Sequence, residues 1–235
     1  LEKPSPLTSY YAVKLYGQSH VVCHNYIAYF HDGICIDTHG LPEPGKKTVS
    51  VDFYRNDIFN MADDFIEADG GSHNIRVFEN RGFNAYHAAL SAQPVFGGPV
   101  YFIRNVCYNV PGTALKYTIR PAGILTYNNT FVAHAAINNF SNGHFMNNLF
   151  IGPDDNRPAL SATTYTNYSS LDYNGYRRKG NASGYRLRYP VHDSLNHADD
   201  RELRFFEFAS LKEFSQRTGF ELHGLELTND IFQNA

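Results

Sequence analysis

Short apolar runs of four to seven residues recur along this chain, each bounded by Gly, Pro, Asn or Asp. Runs at 48–54, 74–78, 100–103, 123–127 and 144–146 lead into an Asn, and runs at 33–37, 65–69, 88–92, 114–117 and 135–137 follow a turn after it. Their β-branched and aromatic content predicts short strands. The Asn positions are Asn25, Asn56, Asn80, Asn105, Asn128 and Asn147, at intervals of 31, 24, 25, 23 and 19 residues. A period of this length signals a solenoid. No helix of ten or more residues fits inside it beside two strands, which excludes helical repeats, and the Leu/Asn signature of leucine-rich repeats is missing. Strands in successive turns of a coil run parallel, so the pattern predicts an all-β parallel β-helix of about six coils.

Each repeat is too short and polar to bury a core alone, so the copies must stack. Stacking brings the Asn side chains into a ladder in which each hydrogen-bonds the next. A second Asn four residues on, at Asn60, Asn84 and Asn109, extends the regularity. The 31-residue interval holds an insertion at 39–47, and a turn-rich loop runs over 93–99; insertions on one face of a solenoid shape its binding surface. Residues 1–160 are expected to form the coils, and 161–235 an irregular Tyr- and Asn-rich segment with a cap. Ser210-Leu211-Lys212-Glu213 opens an amphipathic run that Gly219 ends, predicting a helix over the last coil. No matching N-terminal cap is legible and the first residue is Leu1. The expectation is a mature form or fragment whose upstream coils are missing or supplied by another chain.

Composition narrows the function classes. Hydrophobic residues are 43% and aromatics 15%, which supports a packed interior. A net charge of -3 without like-charge blocks argues against nucleic acid as partner. No apolar run approaches the ~18–20 residues of a membrane span. Cys23, Cys35 and Cys107 are widely spaced in apolar surroundings, which points to buried thiols and to neither zinc nor a disulfide framework.

Aligning the repeats on Asn produces columns. Seven residues on stand Asp32, Asp63, His87 and Gly112; eight on, Gly33, Asp64, Ala88 and Thr113; eleven on, Ile36, Glu67, Ser91 and Lys116. At ~4.8 Å per coil, Asp32, Asp63, Asp64, Glu67, Asp69, His87 and Lys116 should share one patch. Crowded carboxylates split their pKa values, holding one protonated beside an ionised neighbour. That supplies the acid and base of glycosidic bond hydrolysis, and one to two coil spacings match the ~6.5–9.5 Å of an inverting pair. His87 can tune or relay a proton. Lys116 and Arg81 are candidate contacts to an acidic sugar, together with Glu67 and Asp69. No cofactor is required, although Asp64, Glu67 and Asp69 could hold calcium. Calcium would favour a polysaccharide lyase, with Lys116, Arg81 or Arg104 as base. A non-catalytic glycan-binding or structural β-helix is the third possibility.

His31-Asp32-Gly33-Ile34, Ala62-Asp63-Asp64-Phe65-Ile66, the coil carrying His87, and Ala114-Leu115-Lys116 follow at one-coil intervals. This order resembles the polygalacturonase-type glycoside hydrolases, whose sites run Asn-Thr-Asp, Asp-Asp, Gly-His-Gly and Arg-Ile-Lys on consecutive coils of a right-handed parallel β-helix. The match covers about 85 residues. His31 stands where the family has Thr, Tyr86 and Ala88 flank the His in place of Gly, and the Arg has no counterpart. The resemblance implies a right-handed coil, Asp63 as general acid, Asp32 and Asp64 activating water, and His87 and Lys116 supporting the site. It also implies a polysaccharide substrate and an extracellular or periplasmic location. Ile66-Glu67-Ala68-Asp69-Gly70-Gly71 and Gly97-Gly98-Pro99-Val100-Tyr101-Phe102 further resemble the wider right-handed parallel β-helix repeat proteins.

Overall fold

The computed structural model describes residues 10–36, 41–43, 45–153, 155–177, 184–190 and 202–228. Of the insertion at 39–47, His39, Gly40 and Pro44 lie outside them. The described residues form a parallel β-solenoid of about seven turns, 56% strand, with one short helix near the C-terminal end of them. Each coil has three strands rather than the two expected. A leading sheet stacks Val21–Cys23, Val49–Tyr54, His73–Phe78, Val100–Ile103, Ala122–Tyr127 and the second half of Ala136–Met146. A middle sheet stacks Tyr26–Ala28, Asp57–Met61, Arg81–Ala85, Val106–Val110, Thr130–Ala133, Leu149–Phe150 and Gly175–Arg177. A trailing sheet stacks Tyr11–Lys14, Asp32–Cys35, Asp64–Glu67, Ala88–Ser91 and Thr113–Lys116.

The middle strand follows the Asn directly because the corner needs one residue only. His24, Arg55, Glu79, Arg104, Asn128, Asn147 and Tyr173 adopt left-handed φ values between 51° and 59° at that corner. The next residue is the ladder Asn. The rungs are therefore Asn25, Asn56, Asn80, Asn105, Asn129, Asn148 and Asn174. Asn128 and Asn147, expected in the ladder, are corner residues instead; Asn is the type that best tolerates that conformation, so each Asn pair offered two candidates. Every rung repeats one scheme. Asn105 Oδ1 accepts both the Asn80 backbone N–H (3.1 Å) and Asn80 Nδ2 (3.0 Å), while Asn105 Nδ2 donates to Val77 O (2.9 Å) and Asn129 Oδ1 (3.0 Å). Asn56, Asn105, Asn148 and Asn174 are fully buried, so the bonds form away from water.

The coils do not stop near residue 160. Leu160–Thr164 and Tyr185–Pro190 continue the stack in parallel, and Gly175–Arg177 pairs with Leu225–Leu227. Glu221 occupies the place of an eighth rung. Its carboxylate accepts the Asn174 N–H (3.2 Å), Asn174 Nδ2 (2.6 Å) and Tyr176 Oη–H (2.7 Å). The helix Leu211–Thr218 closes this end as the capping box predicts, with Glu213 N donating to Ser210 Oγ (3.2 Å) and Gly219 at φ 77°. Phe214 and Leu211 enter the core. Phe131, Phe150 and Tyr176 stack at 5.5 Å between successive centroids, and Tyr185 and Phe214 complete the aromatic end.

Replacing Asn105 by Ala removes the acceptor of the buried Asn80 backbone N–H, one acceptor of Asn80 Nδ2, which keeps the Phe53 carbonyl, and the donor to the Val77 carbonyl and Asn129 Oδ1. At ~1–3 kcal/mol for an orphaned buried group, urea unfolding should show a loss of about 2–4 kcal/mol. Asn84→Ala, which removes the half-exposed outer bonds to Asn60 (2.7 Å) and Asn109 and puts Ala at a φ of 62°, should cost about 1 kcal/mol. Equal losses at the two positions would exclude the inner ladder as the principal source of coil stability.

Candidate functional site

The trailing sheet differs from the other two. Leading and middle strands alternate buried and exposed residues, but Asp32–Cys35, Asp64–Glu67 and Ala88–Ser91 are buried throughout. Into this sheet the chain places Asp32, Asp64, Glu67 and, just past the strand, Asp69, all buried. Expectation and structure agree on two columns: Asp64 pairs in register with Ala88 and Thr113, and Glu67 with Ser91 and Lys116. The first coil is displaced by one residue. Cys35 rather than Ile36 pairs with Glu67, which aligns Asp32 with Asp64 instead of Asp63. The corner between Asn25 and Asp32 is one residue shorter than that between Asn56 and Asp64, and a one-residue change in a strand's register exchanges its faces.

Aligned in this way, the acids stitch coils together. Asp32 Oδ1 accepts the Asp64 N–H (3.1 Å), and Asp64 Oδ1 accepts the Ala88 N–H (3.0 Å). Asp69 Oδ1 accepts the Gln93 N–H (2.9 Å) and Ser91 Oγ–H (2.6 Å). The Lys116 ammonium crosses the strand between, where Ala88 and Ser91 are small, to touch Asp64 Oδ2 and to lie 3.3 Å from Glu67 Oε1. Cys35 Sγ donates to Glu67 Oε2 at 2.9 Å. Sequence reasoning assigned Cys35 to packing alone; its place opposite Glu67 follows from the register shift.

The outer edge holds the groups that reach solvent. Asp63 is partly exposed and lies 3.1 Å from His87 Nδ1, whose ring is about half exposed. His31 Nδ1 lies 2.8 Å from Asp32 Oδ2, and Tyr10 stacks on its ring at 4.7 Å. One ligating atom from each of His31, Asp32 and Asp63 lies within 4.8 Å of the others, as do atoms of Asp63, Asp64 and His87. His31, not assigned a role from the sequence, is thus a site residue; its adjacency to Asp32 was the available signal. Gly112 passes so near that a Cβ there would sit 1.8 Å from the His87 carbonyl oxygen.

Arg81 is not part of this arrangement. It lies in the middle sheet, paired bidentately with Asp57 at 2.8 Å, and Arg104 lies at a corner near Glu79. The column alignment located Arg81 along the chain but not on which side of the coil its strand falls. The set Asp64, Glu67 and Asp69, considered for calcium, is divided: Lys116 supplies a cation to the first two, and Asp69 faces Ser91 and Gln93. The chemically suitable groupings among the described residues are His31–Asp32–Asp63, Asp63–Asp64–His87 and Asp32–Asp64–Glu67.

Burial and the Glu67 charge raise Asp32 to about 6, against the pull of His31. Burial and Glu67 likewise raise Asp69 to about 8. Asp64 is raised by burial in spite of Lys116. Burial also pushes Asp63 up, but the His87 hydrogen bond and the nearby cations outweigh it and hold the carboxyl below its ordinary value. Asp63 is therefore an ionised group, which does not suit the general-acid role that the resemblance implies. Burial pushes Lys116 down, yet the Asp64 and Glu67 carboxylates outweigh it and keep it an ammonium.

No family model, curated protein or solved structure matches the chain.

Raised carboxyls bind their proton more tightly in the folded than in the unfolded chain. Their contribution is complete below about pH 4 and is lost as pH rises through about 6 for Asp32 and about 8 for Asp69. Thermal melts should show Tm falling over that window. Asp69→Asn, which keeps an oxygen for Ser91 and Gln93 without a titrating proton, should flatten the fall above pH 6. An unchanged pH profile in Asp69→Asn would show that Asp69 is not the group responsible.

Proposed function

We propose that the chain is a carbohydrate-active β-helix that hydrolyses an acidic polysaccharide by acid–base chemistry at the outer edge of the cluster. The observation that carries this reading is the unlike placement of neighbouring carboxyls, Asp63 partly exposed 3.1 Å from His87 Nδ1 and Asp32 buried 2.8 Å from His31 Nδ1, which separates their proton affinities. Asp63 is held ionised beside His87, while Asp32, one coil away, keeps its proton to about pH 6. Such a separation distinguishes base from acid. Asp63 activates water, with His87 fixing its orientation. Asp32 is buried, so its proton reaches a leaving oxygen through His31, to which it is hydrogen-bonded. Atoms of Asp32 and Asp63 approach within 4.8 Å, less than the ~6.5–9.5 Å that admits a water between an inverting pair. An inverting reaction would seat its water on the open side of Asp63.

Further along the stack, Asn138, Asn139, Ser161, Thr163, Arg186 and Arg188 line a polar cleft, which suits a chain of anionic sugars running parallel to the coil axis. The lyase reading has less support. Lys116 is enclosed by two carboxylates, and Arg81 and Arg104 lie elsewhere. The non-catalytic glycan-binding reading draws on one observation: Asp32, Asp64 and Asp69 all accept backbone N–H groups from neighbouring coils, as structural caps do.

Reducing-end assays on a panel of uronate-containing polysaccharides should detect turnover. Asp63→Asn and His87→Ala should each lower it by about 10²–10⁴-fold. Arg81→Ala should leave it unchanged. Full turnover in Asp63→Asn would exclude the hydrolase reading, an unsaturated product absorbing in the ultraviolet would indicate a lyase, and retention on immobilised glycan without turnover would indicate a binding module.

A further inference from the structure

The hydrolase reading leaves Lys116 without a task, because its amine faces inward and touches no solvent-facing member of the site. Its surroundings suit a different reaction. Lys116 Nζ lies against Asp64 Oδ2, and Glu67 Oε1 stands 3.3 Å from the same nitrogen. The second Glu67 oxygen is fixed by Cys35 Sγ at 2.9 Å, and Asp64 Oδ1 is fixed by the Ala88 N–H. Asp64 is fully buried, Lys116 is about one-tenth exposed and Glu67 similarly so. Ile66, Leu90 and Leu115, the neighbouring row of the same sheet, are core residues. A nucleophile, an electrophile and a proton carrier are thus held in contact where water has little access.

We propose that Lys116 and Asp64 join in an intramolecular isopeptide bond, with Glu67 as the proton carrier. Burial favours neutral forms of acids and amines, which are the reactive forms here. The Lys116 ammonium gives a proton to the Glu67 carboxylate, and the freed amine lone pair attacks Cγ of the protonated Asp64 carboxyl. The C–N bond forms, the C–OH bond breaks, and Glu67 returns a proton to the departing hydroxyl so that one water leaves. The second proton lost by the nitrogen remains on Glu67. The net change is condensation of one amine with one carboxylic acid; nothing is oxidised or reduced, and the charge of the three groups is conserved at zero. The bond runs from the Asp64 strand to the Lys116 strand across Ala88–Ser91, cross-linking the first and third of three successive coils. A covalent staple of this kind restricts the unfolded chain as a disulfide does, and in a chain whose three cysteines form no disulfide it needs no oxidising environment.

Intact-protein mass spectrometry of the full chain tests the proposal. The expected mass is below that of the sequence by one water. Tryptic digestion should give a branched species joining the peptide 56–76 to the one carrying Lys116, with no cleavage after Lys116. Lys116→Arg and Glu67→Ala should both restore the full sequence mass. The mass of the unmodified sequence in the folded wild-type chain overturns the proposal, whether or not either variant folds. So does a lost water that maps to an Asp–Gly pair such as Asp69-Gly70, where backbone cyclisation gives the same mass change. The bond would remove one of the cations near Asp63 but leave its His87 contact in place, and reducing-end turnover of the wild-type chain and of Asp63→Asn decides the hydrolase reading whichever mass is found.

Discussion

The hydrogen bond from one coil's backbone N–H to a side-chain oxygen of the next is the constraint on which this structure depends. A solenoid corner removes backbone groups from the sheet ladders while keeping them buried, and each such group costs ~1–3 kcal/mol if left unpaired. The Asn rungs meet this cost at the corner between leading and middle sheets. Asp32 and Asp64 meet it at the start of the trailing strands, and Asp69 and Gln93 at their end. Glu221 closes the Asn ladder because a carboxylate can accept bonds but needs no further partner to donate to.

The same requirement explains why the candidate site sits on the trailing sheet. Where Asp serves as the corner acceptor in place of Asn, the fold acquires buried charge. Buried charge has to be paired or neutralised. Lys116 and the raised carboxyls of Asp32, Asp64 and Asp69 are the two responses, one supplying a counter-ion and the other retaining protons. At the margin, where Asp63 reaches solvent, the ionised state is the favoured one. Chemical asymmetry thus arises from a structural device at the point where it meets water.

The fold was legible to a large degree because its signal is local and repeated. Asn56, Asn80 and Asn105 stand in the ladder as expected, and the helix after Ser210 has the cap its residues specify. The middle strand was not legible, since a single left-handed residue makes the corner and leaves no loop to mark it. The Asn128–Asn129 and Asn147–Asn148 pairs were ambiguous for the same reason: both positions of a corner favour Asn, one for its backbone and one for its side chain. Within the site, Asp64, Glu67, Asp69 and Lys116 were brought together as the columns required, whereas Arg81 was not.

By itself the sequence determined the stacking: a repeated Asn in an apolar frame leaves no economical fold other than a coil whose strands run parallel. It also determined the register of the trailing strands at Asp64–Glu67, Ala88–Ser91 and Thr113–Lys116, because residue counts after the rung are equal there. Only the tertiary structure decided depth. Whether a carboxylate on the trailing sheet faces a sugar, a backbone N–H or a lysine depends on the one-residue offset of the first coil and on the groups burying that sheet on both faces. Those are relations between distant segments, and no single repeat carries them. That is why Asp63 emerged partly exposed beside His87 and Asp64, its immediate neighbour, disappeared beneath it into contact with Lys116.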